Sequence, residues 1–203
     1  MGGNVFSGAT RPFGMVKLGP DVVFGGLGPT AGVPSNGDLS PRFSGFSMTH
    51  MTGTGGTPMY GAVSQLPWVG DIDDPFTLTV GRGSDDVSRI GYYHAVTSQT
   101  VRVELAATDH AGMYNYTFPN AKGKIVVDLS HRLRSFDDQQ LDQQFYRADL
   151  KIDSKGSYQG SAVFSSGYNM SPQWTIYFCM SCFPLVSDDA DQQVAISTDP
   201  HQQ

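Results

Sequence analysis

The stretch TVRVELAAT, residues 100–108, alternates apolar and polar side chains almost one by one. In an extended chain this places Val101, Val103 and Leu105 on one face, and charged side chains lie on the other. A period of two predicts a β-strand that buries one face in a core and leaves the other in solvent. This segment is the clearest guide to the fold class of the chain.

Segments of the same kind recur from residue 76 onward, and turn residues separate them. They are FTLTV (76–80), MYNYTF (113–118), KIVVDL (124–129), FYRADLKI (145–152), YQGSAVFSS (158–166), WTIYFCMSCF (174–183) and QQVAIS (192–197). Short strands with turns between them predict an all-β fold, namely an antiparallel β-sandwich. The one plausible helical piece is SFDDQQLDQQF (135–145), whose apolar positions are sparse.

The composition agrees with an all-β chain. Its 203 residues include 24 Gly and 12 Pro, and only 16% of them are charged. Short strands with many turns give such a profile, whereas long helices do not. A chain of this length is sufficient for one sizeable core. We therefore expect a single β-sandwich domain over residues 1–203, with its main strands in 76–203.

The first 75 residues have a different pattern, rich in Gly and Pro and weak in periodicity. They also contain aromatic and methionine side chains that favour packing over disorder. These are Phe6, Phe13, Met15, Phe43, Phe46, Met48 and Met51. We expect a long, ordered, loop-rich region laid across one end or edge of the sandwich.

The charge balance bears on partners. The net charge is −6 at pH 7, which favours neither nucleic acid nor an anionic membrane as a partner. No apolar run is long enough to cross a bilayer. The opening residues lack the basic start and apolar core of a signal peptide, so the compartment stays open. Two glycosylation sequons, at Asn115 and Asn169, matter only in a secreted chain.

Motifs for nucleotide, nucleophile and metal chemistry are weak. The loop GTGG (53–56) lacks the Lys-Ser/Thr of a P-loop, and no G-x-S-x-G elbow occurs. The five histidines are dispersed without the pairs that a transition-metal site needs. Cys179 and Cys182 form a C-x-x-C inside an apolar run, which favours two ordinary strand cysteines. No cofactor or metal is expected in this chain.

Sugar recognition suits the polar and aromatic loop residues of the first part better. Sugars are held by aromatic faces and by planar polar groups on loops over a rigid scaffold. The candidates are Asn4, Asp21, Thr49, His50, Thr52, Thr54, Tyr60 and Trp68. Each also has a structural interpretation: Trp68 could fill the core, and Asn4 and Asp21 could cap turns.

Five motifs in order resemble the amino-terminal domain of glycoside hydrolase family 92, and the likeness is nearest to fungal members. They are GGNVFSGATRPFGMVKLGPD (2–21), GFSMTHMTGTGGTPMYGAVSQLP (45–67), SRIGYYHAV (88–96), VRVELAATDHAGMYNYTFP (101–119) and IVVDLSHRL (125–133). The resemblance covers essentially the whole chain. It implies an exo-acting α-mannosidase family with an amino-terminal, supersandwich-like β-sandwich and a carboxy-terminal (α/α)6 barrel.

The resemblance also implies where the chemistry lies. Family members are calcium-dependent and invert the anomeric configuration, with an acid and a base carboxylate on either side of the scissile bond. These carboxylates and the calcium ligands belong mainly to the barrel, which we expect to be absent from residues 1–203. We therefore expect calcium in that absent domain, no catalytic residue here, and no hydrolysis by this chain alone. Secretion is usual for the family.

Only loop residues can be carried over from the family. Its loop of the type GFSHTHLSGTG matches Gly45–Gly55, with His50 kept and Met48 in place of the first histidine. The predicted substrate-binding residues are His50, Thr49, Thr52, Thr54, Asn4 and Trp68. For His50, a sugar contact and a buried structural role both stay open.

Three functions follow as hypotheses. The chain is the glycan-facing sandwich of an α-mannosidase, a stand-alone sugar-binding lectin that covers its exposed surface by homo-oligomerisation, or an inert structural domain. Glycans are the expected partners in the first two.

Overall fold

The computed structural model describes residues 6–23, 30–31, 41–51, 60–83, 86–133, 142–167 and 170–182, with backbone only at 30–31. These residues form strands and no helix. The strands are β1 (Ala9–Thr10), β2 (Lys17–Val23), β3 (Thr30–Ala31), β4 (Arg42–Ser47), β5 (Ser64–Val69), β6 (Val80–Gly81), β7 (Val87–Arg89), β8 (Tyr92–Val96), β9 (Arg102–Ala107), β10 (Gly112–Thr117), β11 (Gly123–Asp128), β12 (Gln143–Ile152), β13 (Tyr158–Ser166) and β14 (Ser171–Met180).

The largest sheet has seven strands, ordered β1-β2-β4-β5-β11, with β3 on β2 and β6 on β4. Its pairings are antiparallel. It contributes Leu18, Val22, Phe43, Phe46 and Leu66 to the core, each less than 5% exposed. The core residues named for this sheet thus come from the amino-terminal part of the chain.

A second sheet of four antiparallel strands, ordered β10-β9-β8-β7, covers the first. The alternation in TVRVELAAT is confirmed, because Val103 and Leu105 of β9 are fully buried while Arg102 is exposed. Tyr93 and Ala95 of β8 join them in one cluster with the apolar residues of the seven-stranded sheet. Two sheets facing each other across one core form the predicted antiparallel β-sandwich.

A third sheet, β12-β13-β14, has a small core of its own. Phe164 is buried there and stacks on Trp174 with ring centroids 5.2 Å apart. Ala62, which lies just before β5, belongs to the same cluster. The edge of the Trp174 ring also meets Tyr60 at 5.7 Å, so the third sheet packs against the loop that leads into β5.

The amino-terminal part contains more strand than its weak periodicity predicts. Strands β2, β4 and β5 occupy the middle of the seven-stranded sheet and are buried on both faces along most of their length. A strand covered on both sides has no need to alternate polar and apolar residues, so the period of two is lost. Phe13 and Met15, expected to pack, are instead exposed.

Other segments also differ from the prediction or fall outside the described residues. FTLTV (76–80) contributes only Val80 to a strand, because Asp74 accepts from the Phe76 amide and the Thr77 hydroxyl and so holds these two residues in a turn and a bend. Of the plausible helical piece, residues 135–141 lie outside the described residues and Gln143–Phe145 begin β12. QQVAIS (192–197) lies outside them entirely.

The two cysteines occupy different positions at the end of β14. Cys179 is exposed on the strand, whereas Cys182 follows the strand and its thiol donates to the Gly156 carbonyl at 3.1 Å. Both are free thiols, and burial raises the pKa of Cys182. The described residues contain no helix of the length and apolarity that membrane crossing requires.

Candidate functional site

His50 lies at the base of the loop that the family motif marks. It follows β4 by three residues and forms an isolated antiparallel bridge with Tyr60. The Gly61 amide also donates to the Thr49 carbonyl, which closes the same base. Residues 52–59, between these two points, lie outside the described residues.

Both ring nitrogens of His50 have protein partners. Its Nδ1 lies 2.6 Å from the Lys17 carbonyl oxygen, and its Nε2 lies 2.7 Å from Oδ1 of Asp21. The ring of Phe6 covers it, with centroids 4.6 Å apart. The His50 side chain is fully buried. Its orientation is therefore fixed from both ends of the ring, and neither nitrogen is open to a ligand.

Asp21 is the centre of this group. It lies on β2 with no exposed surface. Its Oδ1 accepts a hydrogen bond from the Ser47 hydroxyl at 3.1 Å, and its Oδ2 accepts one from the Ser64 hydroxyl at 3.2 Å. His131 approaches the same Oδ2, with Nδ1 at 3.9 Å. We call Asp21, Ser47, His50, Ser64 and His131 the Asp21 cluster.

His131 fixes the chain on the far side of the loop. Its Nδ1 donates to the Gly61 carbonyl at 2.7 Å, and its Nε2 lies 3.5 Å from the Ser44 hydroxyl. Gly61 has a φ of +75°, and a Cβ there would meet the Leu133 side chain at 2.7 Å. Only glycine fits this backbone without strain. The cluster therefore holds the chain directly before and directly after the loop.

The proton count of the Asp21–His50 pair follows from its partners. A carbonyl oxygen only accepts, so Nδ1 of His50 carries a hydrogen and donates to Lys17. One further proton lies between Nε2 and the Asp21 carboxylate, since two bare acceptors would repel at 2.7 Å. With that proton on either partner, the pair carries no net charge. Its neutrality is compatible with complete burial.

The cluster contains serine, histidine and aspartate, but its geometry is not that of a catalytic triad. In a triad the aspartate holds one ring nitrogen and the serine uses the other. Here Ser47 Oγ, at 3.3 Å, and Asp21 Oδ1, at 2.7 Å, share Nε2 of His50. All three side chains are buried. The arrangement serves to hold strands together and offers no exposed nucleophile.

The described residues also contain no group of three or more His, Cys, Asp or Glu side chains suited to a metal ion. Within the Asp21 cluster, Nδ1 of each histidine faces a backbone carbonyl and so carries a hydrogen in place of a free lone pair.

Thr49, another predicted binding residue, is engaged with the backbone on the far side of the loop. Its hydroxyl accepts from the Ala62 amide at 2.8 Å and lies 3.4 Å from the Ala62 carbonyl. The structure therefore brings Thr49 and His50 together at the loop base. Thr52, Thr54 and Asn4 lie outside the described residues.

Trp68 lies away from this group. It follows Ser64 by four residues on β5, which corresponds to about 13 Å along an extended strand. Its indole N–H donates to the Asp71 carbonyl at 3.0 Å, and its ring packs against the main core while staying half-buried. The core-filling interpretation of this tryptophan fits these contacts.

Several members of the cluster were harder to identify from sequence. Asp21 is among the candidate residues for sugar recognition but not among the six predicted substrate-binding residues. Ser64 and His131 are in neither set. One signal for Asp21 is a carboxylate inside KLGPDVV, a strand otherwise almost without polar side chains beyond its first residue. A buried acid needs partners, and histidines and hydroxyls elsewhere in the motifs are the natural candidates.

The chain is similar to known proteins along most of its length. The family model of the glycosyl hydrolase family 92 N-terminal domain matches residues 1–187. An uncharacterized secreted glycosidase of Arthroderma benhamiae is 31% identical over an alignment of 144 residues. That alignment covers 64% of this chain and 18% of the relative, so the chain corresponds to a small part of that relative's length.

Proposed function

Because the chain belongs to the glycosyl hydrolase family 92 N-terminal domain family, we propose that it is the glycan-facing, non-catalytic domain of an α-mannosidase. In this proposal the acid, the base and the calcium site belong to another part of the enzyme. The domain presents the loop of residues 51–59 to a mannose-containing glycan, and Thr52 and Thr54 make polar contacts with sugar hydroxyls.

The observation that carries this proposal is the anchoring of that loop at both of its ends. His50 precedes it and is held by Asp21 and Lys17, while Gly61 follows it and is held by His131. A buried, fully bonded base fixes the chain at His50 and at Gly61. Pre-ordering of this kind lowers the entropy that a binding loop would lose when it meets its ligand.

His50 has the part of a positioning residue in this proposal. Its side chain is fully buried, so it acts on the sugar through the loop and not by contact. Thr49 acts in the same way through Ala62. In this interpretation His50 has the structural role, and the loop residues make the sugar contacts.

The test is binding of the purified chain to an array of α-mannosides, followed by calorimetry on the strongest ligand. We expect Thr52→Ala and Thr54→Ala to weaken binding with no change in Tm. Thr77→Ala, an exposed threonine outside the loop, is the matched control and should bind as the wild type does. Unchanged binding in both loop variants would overturn the assignment of the loop.

His50→Gln separates positioning from contact. If His50 acts through the loop, the variant should lose binding and thermal stability together. Loss of binding at unchanged Tm would instead assign a direct contact. Turnover of an aryl α-mannoside by the chain alone would contradict its non-catalytic role.

The same preparations separate the other two hypotheses. If the chain is a lectin, size-exclusion chromatography with light scattering should show an oligomer, and that oligomer should bind glycans. A chain that binds no glycan on the array would favour the inert structural domain.

A further inference from the structure

The outer face of the four-stranded sheet carries an ordered row of polar side chains. The register places His94 of β8, Glu104 of β9 and Asn115 of β10 side by side. Their neighbours along each strand point inward, and Tyr114 and Tyr116 of β10 pack against the main core. Asn115 therefore lies on the side of the sheet that faces solvent.

Glu104 orders this row. Its Oε1 accepts from the Tyr92 hydroxyl at 2.8 Å and from the Arg102 guanidinium at 2.9 Å. Its Oε2 accepts from Nδ2 of Asn115 at 3.1 Å. The Asn115 amide is thus held in one orientation by one of its two N–H groups, and the second N–H does not take part in this bond.

Asn115 also begins the sequon Asn115-Tyr116-Thr117. In a strand, residues two apart share a face, so the acceptor amide and the Thr117 hydroxyl both lie on the outer side. Thr117 is exposed. Strand β10 is the last strand of its sheet, and no strand of the described residues pairs with its other edge. A bulky substituent at Asn115 would project from the outer face of the sheet, next to this edge.

We propose that Asn115 carries an N-linked glycan. The donor is a lipid-linked oligosaccharide pyrophosphate. A bond forms between Nδ2 and the anomeric carbon of the first sugar, the bond from that carbon to the pyrophosphate oxygen breaks, and Nδ2 loses one proton as the lipid pyrophosphate leaves. No oxidation or reduction occurs. Nδ2 keeps one hydrogen, which suffices for the bond to Glu104 in the folded protein.

The half-buried position of Asn115 does not prevent the reaction. Attachment takes place on the chain as it enters the secretory pathway, before β10 pairs with β9. The fold then has to accommodate the glycan, and the edge position on the outer face allows this. The relative from Arthroderma benhamiae is described as secreted, which is the compartment in which sequons are used.

The glycan would protect an edge of the sandwich. An unpaired edge strand is a template for pairing with another chain, and Met113, on the same face of β10, is 63% exposed. A glycan two residues away would cover both features. Natural β-proteins protect such edges with charges, bulges or covering segments, and a glycan serves the same purpose.

The test uses cell-free translation of the full chain, preceded by a cleavable signal sequence, in the presence of endoplasmic reticulum microsomes. Asn169→Gln removes the other sequon. On this background we expect one glycan, removed by an endoglycosidase, and mass spectrometry of the peptide should place it on Asn115. An unmodified Asn115 in the Asn169→Gln chain would overturn the proposal.

Two substitutions at Thr117 provide matched controls on that background. Thr117→Ala destroys the sequon but leaves the amide of Asn115 in place, so it should lose the glycan completely. Thr117→Ser keeps the sequon and should keep the glycan. Modification that persists in Thr117→Ala would contradict the assignment.

A second measurement tests accommodation by the fold. The glycosylated Asn169→Gln chain should have a Tm no lower than the same chain after enzymatic deglycosylation, and a smaller aggregated fraction by light scattering. A lower Tm with the glycan present would overturn its placement on the outer face. Glycan occupancy and mannoside binding are separate readouts, so each proposal can fail alone.

Discussion

Asp21 and Glu104 are two carboxylates with similar bonding and opposite surroundings. Asp21 accepts from two serine hydroxyls and pairs with His50, and its side chain is 0% exposed. Glu104 accepts from a tyrosine, an arginine and an asparagine, and its side chain is 24% exposed. The number of hydrogen bonds is therefore a poor guide to what each group contributes.

Solvent explains the difference. When a partner of a buried charge is removed, no water can replace it, so the free energy of unfolding falls by several kcal/mol. When a partner of Glu104 is removed, water replaces it, and exposed pairs contribute about 1 kcal/mol or less. The Asp21 cluster thus joins strands β2, β4 and β5 of the seven-stranded sheet, while loss of a partner in the row around Glu104 should cost the fold little.

The largest effect is expected from Asp21→Ala, which leaves Nε2 of the buried His50 with only the longer contact to Ser47 and removes the acceptor of the Ser64 hydroxyl. We expect a loss of about 3–5 kcal/mol in the free energy of unfolding, measured by urea denaturation. Asp109→Ala is the control, since Asp109 pairs with Arg11 at 3.6 Å where both side chains are more than half exposed. It should cost less than about 1 kcal/mol. Equal losses in the two variants would show that burial does not set the contribution of these carboxylates.

Gly45→Ala should disturb the cluster indirectly. A Cβ at this position would overlap the Ser64 hydroxyl, which would have to rotate away from Oδ2 of Asp21. We expect a loss of about 1–3 kcal/mol. In a Ser64→Ala background the added methyl group meets a smaller neighbour, so the loss should shrink. A double-mutant cycle measures this coupling, and additive effects would show that the overlap does not act through Ser64.

Alkaline pH should destabilise the fold through its buried tyrosines. Burial raises the pKa of Tyr93, Tyr114 and Tyr116 well above its usual value, and raises that of Tyr158 to about 12. A raised folded-state pKa stabilises the fold fully below the ordinary value of 10, and this contribution is lost as pH rises through the folded value.

The Tm should therefore decline once pH exceeds about 10. Phenolate absorbance from the buried tyrosines should develop together with unfolding, as followed by circular dichroism. Full tyrosine ionisation in a chain that stays folded would contradict the burial of these side chains.

The smallest effect is expected from Glu104→Gln, within about 1 kcal/mol at neutral pH. The hydrogen bond from Tyr92, followed by the contacts with Arg102 and Asn115, lowers the pKa of Glu104. Its contribution is thus present above the ordinary value and lost as pH falls through the lowered one. Wild type and variant should converge in Tm at that acidic pH. A difference in Tm between wild type and variant that grows on acidification would contradict this prediction.

Much of the fold was predictable because local pattern and tertiary role coincide in the later strands. β9 alternates because one face meets the core and the other meets water, and YQGSAVFSS matches β13 residue for residue. The prediction failed where burial is two-sided. β2 and β4 lie inside the largest sheet, so their sequences need only be apolar or small, and the Gly and Pro among them were taken for loops.

The candidate site was predictable only in part. His50 was found because it lies in a family motif, and the resemblance to the glycoside hydrolase family 92 amino-terminal domain is confirmed. Its partners Ser64 and His131 lie 14 and 81 residues further along the chain. No local spacing reports such contacts, because the sheet order that brings β2, β4 and β5 together is set by long-range pairing.

The sequence by itself determined that this chain is built of strands, which family it belongs to, and which loop carries the family histidine. Periodicity and motifs depend on residues that are close together in the sequence, so the sequence alone shows them. Only the tertiary structure decided that His50 is enclosed with Asp21, and that Glu104 and Asn115 lie partly exposed on the outer face of a sheet. Exposure to water depends on which strands lie next to one another, and that same exposure determines what each polar group can do.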